Sequence, residues 1–179
     1  PGGPLMDIGS KAYADKVAEL SDGRIKIQVF PGGALGNALK VSETVKNGVA
    51  ELGHTWMGYD WGADTTTVLF GGYAGSMDTE RMLHWIYEGG GMELYRELYR
   101  DVLKLNIIAF PIGGASPQAF GWFKRPIKNL ADFKGMKCRQ TGIVAEIFQR
   151  MGMQTVNMPG GEIVPSAQRG VIDCAEGVG

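Results

Sequence analysis

The guanidinium of Arg139 stands where a short predicted strand, MKCR over 136–139, gives way to a helix that begins at about Thr141–Gly142. In open α/β sheets small ligands gather at the carboxyl ends of strands. A helix start there adds free N–H groups and a positive dipole end. Arginine contributes a planar fork that matches a carboxylate two bonds at a time. The pattern points to a small carboxylate that is held and not transformed; the plainer alternative is a surface salt bridge. Glu176, after the predicted strand 171–175, takes an equivalent strand-end position, and Gln118 precedes the short strand 120–123. Together these would supply a guanidinium for an anion and oxygen donors for a hard cation.

Tyr59-Asp60-Trp61 lies in a glycine-bearing segment, 55–62, after a predicted strand. Rigid rings there suit a binding wall, and equally a plug against the core. Other chemistries find less support. GGALGNALK (32–40) lacks both the Gly-Lys-Ser/Thr ending and the G-x-G-x-x-G spacing of nucleotide loops. His54 and His84 are the only histidines. Glu51 and His54 fall in a predicted strand, where positions three apart face opposite sides, so no zinc site is expected. No G-x-S-x-G elbow marks a serine nucleophile. Cys138 and Cys174 fit no zinc motif or disulfide framework. They read as two buried thiols, with a bridge open only if their strands are neighbours.

The elements that must position these residues follow from periodicity. Leu5, Ile8, Ala12, Tyr13, Val17 and Leu20 give a helix over 5–20, and RIKIQVF alternates as a strand over 24–30. A helix over 37–46 ended by Asn47-Gly48, a strand over 50–55, a helix over 78–87 and a glycine break at 89–91 come next. A second amphipathic helix then presents Leu94, Tyr95, Leu98, Tyr99 and Val102, and an apolar strand spans 107–111. From Gly113 the character changes and a second lobe begins. It has strands at 120–123, 136–139, 154–158 and 171–175, and helices at 143–151 and 162–168, the former with Ile143, Ile147, Phe148 and Met151 inward. The β-α-β order implies a parallel-containing sheet covered by helices.

A net charge of −1 gives no electrostatic footprint for nucleic acid, and no apolar run reaches the roughly 18–20 residues of a membrane span. The chain begins on Pro1 without a visible signal peptide and stops after Glu176-Gly177-Val178-Gly179 without a closing helix. Both ends read as cut from a longer mature protein.

At the same residues the sequence resembles the DctP-type extracytoplasmic solute-binding subunits of tripartite ATP-independent periplasmic (TRAP) transporters, and within them the branch that binds 2-oxo acids such as pyruvate, or related monocarboxylates. The likeness runs from Lys11-x-x-Ala14 to Phe30-Pro31-Gly32, through Gly48-x-x-Glu51-x-Gly53-His54 and Glu88-Gly89-Gly90-Gly91-x-Glu93-Leu94, to Gln118-x-x-Gly121-Trp122-Phe123. It continues in Leu130-x-Asp132-x-Lys134-Gly135-x-Lys137-x-Arg139, Met158-Pro159-Gly160-Gly161-Glu162-Ile163 and Gly170-x-Ile172-Asp173-x-Ala175-Glu176. It implies a two-lobed, type II-like periplasmic-binding-protein fold in which each lobe is a mixed sheet flanked by helices. Lobe I would be residues 1–112 and lobe II residues 113–179, with a second hinge crossing near 176. It also implies that Arg139 pairs with the solute carboxylate and that a sodium or calcium ion sits between Gln118, Glu176 and the backbone carbonyl of Gly177, where the branch usually has tryptophan. Tyr59 and Trp61 would line the cleft. The expected protein is periplasmic, hands its acid to TRAP membrane permease subunits and does no chemistry itself; homodimerisation of the full-length form is left open. The rival expectations are an enzyme acting on a small carboxylic acid, using the same arginine, and a ligand-sensing module of a signalling protein.

Overall fold

The computed structural model describes residues 5–114 and 118–177. The first part is helical. A π-helical turn at Met6–Lys11 runs into α1 (Ala12–Leu20), and α2 (Val41–Lys46) follows a turn-rich stretch. Gly48, at φ +70°, closes α2 in the left-handed conformation that glycine adopts without a Cβ penalty. A 3-10 helix at Met57–Gly62 precedes α3 (Thr67–Gly71) and α4 (Thr79–Glu88). Asp78 caps α4 by accepting from the Arg81 N–H at 2.9 Å. Gly90, at φ +82°, turns the chain into α5 (Gly91–Glu97), which continues as a π-helical turn over Leu98–Val102. The helix over 37–46 is thus shorter than its pattern predicts, starting at Val41.

The second part holds the sheet: β1 (Trp122–Phe123), β2 (Lys137–Arg139), α6 (Gly142–Arg150), β3 (Gln154–Val156), α7 (Ile163–Gln168) and β4 (Cys174–Ala175). Strand order is β1-β4-β2-β3, with β2 parallel to β3 and β4, and β1 antiparallel to β4. The mixed sheet and its β-α-β units follow the predicted order.

Two hydrophobic clusters form. One gathers Met57, Tyr95, Leu98 and Tyr99, with Phe70, Leu105 and Ile107 against them. The other gathers Phe133, Met136, Cys138, Phe148, Met153 and Cys174, with Phe123, Val144 and Met151 against them.

Three expectations need correction. The predicted strands at 24–30, 50–55 and 107–111 form no ladder among the described residues, so the first part carries no sheet of its own. Alternation marks the two faces of a strand but not a partner edge, and a ladder needs both. Apolar side chains from all three segments stay in water, with Ile25, Leu52 and Ile108 at 54%, 58% and 77% exposure. The apolar stripes of α1, α5 and the π-helical turns that adjoin them are likewise partly exposed, as Ile8, Leu20, Leu94 and Val102 show, and Ile147 of α6 points outward. Finally, Cys138 and Cys174 are not free thiols. They pair across β2 and β4 in direct register, Cα atoms 4.6 Å apart, as a disulfide.

Candidate functional site

Arg139 ends β2 and is buried at 4% exposure, which removes it from the class of surface salt bridges. Lys137, two residues back, is exposed. The Nε–H of Arg139 donates to the Met158 carbonyl at 3.1 Å. One terminal nitrogen is held by a carboxylate oxygen of Glu176, and the other lies 3.4 Å from the Tyr59 hydroxyl. Tyr59 comes from the 3-10 helix of the first part, 80 residues away, so this contact joins the two parts of the molecule.

Glu176 follows β4 and is 7% exposed. Its backbone N–H reaches the Arg139 carbonyl at 3.3 Å, extending the β2–β4 pairing by one bond and fixing the two residues side by side. Burial pushes its carboxyl above the usual carboxylate range, while the Arg139 guanidinium and a bond from the Thr141 side chain pull it down. Thr141 stands at the N-cap of α6 but makes no side-chain cap bond to its helix; its hydroxyl serves Glu176 instead. The positive end of α6 therefore faces the site. Gly142 holds the turn from β2 into α6 at φ +59°, where a Cβ would lie 3.9 Å from the Gly58 carbonyl and the backbone would be strained for any other residue.

Of the remaining predicted residues, Trp61 is half-buried on the same 3-10 helix as Tyr59. Its neighbour Asp60 turns away to accept from Ser42 at 2.9 Å, and burial raises its carboxyl pKa. Tyr59 stacks edge-on with Trp56, centroids 5.5 Å apart, and Trp56 is anchored by its Nε1–H to the Gly71 carbonyl at 2.7 Å. Gln118 is exposed. Antiparallel pairing of Trp122 with Ala175 leads the segment 118–121 past the end of β4, and a Cβ on Gly121 would lie 3.3 Å from the Ala175 carbonyl. Gly177 is half-buried, and a Cβ on it would meet the Trp122 ring at 3.8 Å. Arg139, Glu176 and Tyr59 thus come together, and among the described residues no hydrogen bond joins Gln118 to them.

The sequence reading missed Met158, Thr141, and the direct pairing of Arg139 with Glu176. Thr141 had a signal, as a hydroxyl residue at a predicted helix start. The Met158 carbonyl had none, because any residue supplies one.

Among the described residues no three His, Cys, Asp or Glu side chains gather to hold a metal ion. A cation here would take one carboxylate oxygen from Glu176 and neutral oxygens beside it, such as the Gly177 carbonyl. Such a donor set suits a hard, oxygen-seeking ion whose remaining ligands come from a bound solute. Buried positive charge, a helix N-terminus and an adjacent carboxylate can hold a small anion and such a cation.

Residues 5–179 match the family described as bacterial extracellular solute-binding protein, family 7 (DctP). A monocarboxylate 2-oxoacid-binding periplasmic protein of Nostoc sp. is 38% identical over 177 residues, covering 96% of this chain and 46% of the relative. A TRAP transporter solute-binding protein from Bordetella bronchiseptica, a mixed-occupancy dimer with copurified calcium and picolinate, superposes with a TM-score of 0.88 at 32% identity, covering 98% of this chain and 52% of that one. A TRAP periplasmic solute-binding protein from Pseudoalteromonas atlantica, with bound sodium and pyruvate, gives 0.82 at 33% identity over 100% of this chain and 54% of that one. The chain spans about half the length of these relatives.

Proposed function

The chain belongs to family 7 of the bacterial extracellular solute-binding proteins, and on that footing we propose that it captures a small monocarboxylate, a 2-oxo acid such as pyruvate, together with a sodium or calcium ion. The protein works in the periplasm and delivers its solute unchanged to the membrane permease of a TRAP transporter. Residues 1–112 and 113–179 are assigned to two lobes that close around the solute by hinge motion. Arg139 pairs with the solute carboxylate. Glu176, the Gly177 carbonyl and the Gln118 amide oxygen hold the cation, which orients the solute's second oxygen. Tyr59 and Trp61 wall the cleft from the other lobe. With glycine at 177, the cation keeps a carbonyl ligand while the wall loses a side chain, and the Trp122 ring stands nearest that gap.

The observation that carries the reading is the buried guanidinium at the end of β2, flanked by Glu176 and reached from the other part of the chain by Tyr59. The relatives named for 2-oxoacids, and crystallised with pyruvate and sodium or with picolinate and calcium, supply the solute class. Calorimetry with pyruvate, in sodium and then in calcium, tests it. Replacing Arg139 by Lys keeps a charge but loses the fork, and Arg139→Ala removes both. Losing one partner of a buried charge pair costs about 2–5 kcal/mol, so Arg139→Ala is expected to weaken binding by about 30-fold or more, with Arg139→Lys between it and the parent. Unchanged affinity of both variants for every carboxylate bound by the parent would refute the assignment.

A further inference from the structure

We propose that Asp60 is a positioning residue for solute capture: through the bond it accepts from Ser42 it fixes the rotation of the 3-10 helix Met57–Gly62 and so holds the Tyr59 hydroxyl against Arg139. The inference rests on the carboxylate reading of the site. A 3-10 helix has about three residues per turn, so neighbouring side chains leave it about a third of a turn apart. Tyr59 reaches the end of β2, and Asp60 reaches α2, where the buried Ser42 hydroxyl donates to its carboxylate at 2.9 Å. The first residues of the helix are placed by packing. Met57 is buried in the first cluster, and the Trp56 ring lies so close over Gly58 that a Cβ there would come within 2.1 Å of it. Further along, packing sets the rotation only loosely, because Trp61 is half-buried and a Cβ on Gly62 would meet nothing within 4 Å. The Tyr59 hydroxyl sits at the far end of its ring, 3.4 Å from its partner, so a small rotation takes it out of reach.

Ser42 is itself firmly held. Its hydroxyl is also bonded to the Tyr99 hydroxyl, and that of Tyr99 to Tyr95, the two rings lying 5.4 Å apart. Three hydroxyls, each with one proton to give, can all donate in one direction along such a chain if an acceptor without a proton ends it. Asp60 is that acceptor. The chain runs from the first hydrophobic cluster to the residue beside Tyr59, so the packing around Tyr95 and Tyr99 sets the direction of the 3-10 helix. For folding alone the carboxylate is a poor choice. Burial is the main reason its pKa is raised, with Ser42 pulling it down and Glu43 pushing it up. A carboxyl raised in this way favours folding below its unfolded pKa and loses that contribution as pH rises through the folded value. At neutral pH ionised Asp60 therefore costs stability, and groups that break a local rule in this way belong with function.

The experiment measures pyruvate affinity and release rate on the full-length protein in sodium chloride, for the parent, Tyr59→Phe, Asp60→Ala, Asp60→Asn, Ser42→Ala and the double variant Tyr59→Phe/Asp60→Ala. Asp60→Ala is expected to weaken binding by about fivefold, as loss of the single Tyr59 hydroxyl bond does. Both changes remove the same contact, so the double variant should lose about fivefold, and not the roughly 25-fold of two independent losses. Asp60→Asn keeps an oxygen for Ser42 to donate to and should recover most of the affinity, with a melting temperature at or above the parent's. Ser42→Ala leaves the carboxylate unheld and should release pyruvate faster than the parent, which keeps the inference testable if Asp60→Ala does not fold. Losses that multiply in the double variant, or a Ser42→Ala protein with the parent's release rate, would overturn the inference and make Asp60 part of the general packing of the first cluster. Asp60→Asn as weak as Asp60→Ala would overturn it as well. Tyr59→Phe with the parent's affinity would remove it while leaving the carboxylate assignment standing. A parent that binds no carboxylate would remove both.

Discussion

At the scale of single residues, the bond from the Arg139 guanidinium to Tyr59 is the contact with the widest consequence. It is long, at 3.4 Å, but it joins a residue at the end of β2 to one 80 positions earlier, on the 3-10 helix whose Met57 belongs to the first hydrophobic cluster. A neutral hydroxyl on a guanidinium at this length contributes about 1 kcal/mol. Tyr59→Phe keeps the ring and its edge-on contact with Trp56 and removes only that oxygen. The expected result is pyruvate affinity weaker by about fivefold, carried by faster release with little change in association rate. Stopped-flow release and association rates check this. A variant with the parent's release rate would show that Tyr59 contributes packing and no latch. Arg139 itself was legible in the sequence, since its strand end and the following helix start are local patterns. Its pairing with Glu176 was not, because 37 residues separate them and only the β2–β4 register sets one beside the other.

Among the elements, the π-helical turn at Met6–Lys11 is tied to the 50–56 segment by one polar contact, with Ser10 Oγ lying 2.8 Å from His54 Nδ1. A Cβ on Gly9 would press on the same ring at 2.9 Å, so the imidazole sits tightly against the turn. Burial lowers its pKa from the usual 6.5. A histidine whose folded pKa is depressed takes up its proton more readily in the unfolded chain. Its stabilising effect is therefore complete above about pH 6.5 and is lost as pH falls through the folded value. His54→Gln keeps a hydrogen-bonding side chain and removes the titration. Urea midpoints measured from pH 5 to pH 7.5 should fall with acidification in the parent and fall less steeply in the variant over that window. Equal slopes would mean that other groups set the acid response. Periodicity placed helices at 78–87 and 143–151 to within a residue or so, because caps and glycine stops such as Asp78 and Gly48 are local. Cys138–Cys174 was not readable, because a cross-strand bridge depends on which strands become neighbours.

For the whole molecule, two separate hydrophobic clusters decide how it comes apart. The predicted order of elements in the second part was realised because β2-α6-β3 and α7-β4 supply each other's edges within 40 residues. The strand patterns of the first part describe faces whose partners are not among the described residues, and apolar side chains such as Ile25 and Ile108 remain in water. Local opening should therefore be easier around Met57, Tyr95 and Leu98 than around Phe133, Cys138 and Phe148. The disulfide lies wholly inside the second cluster and closes a loop of 36 residues. In the chain-entropy account a loop of that size is stabilised by roughly 4 kcal/mol, through constraint of the unfolded segment. Hydrogen exchange read by mass spectrometry, with and without reduction after brief unfolding, separates the two clusters. Peptides from 133–174 should be the better protected in the oxidised protein and should lose protection on reduction, while peptides from 57–109 should exchange at the same rate in both forms. Uniform loss of protection across both regions would show that the clusters unfold as one unit. If 133–174 keeps its protection after reduction, the bridge adds nothing beyond the packing of the sheet.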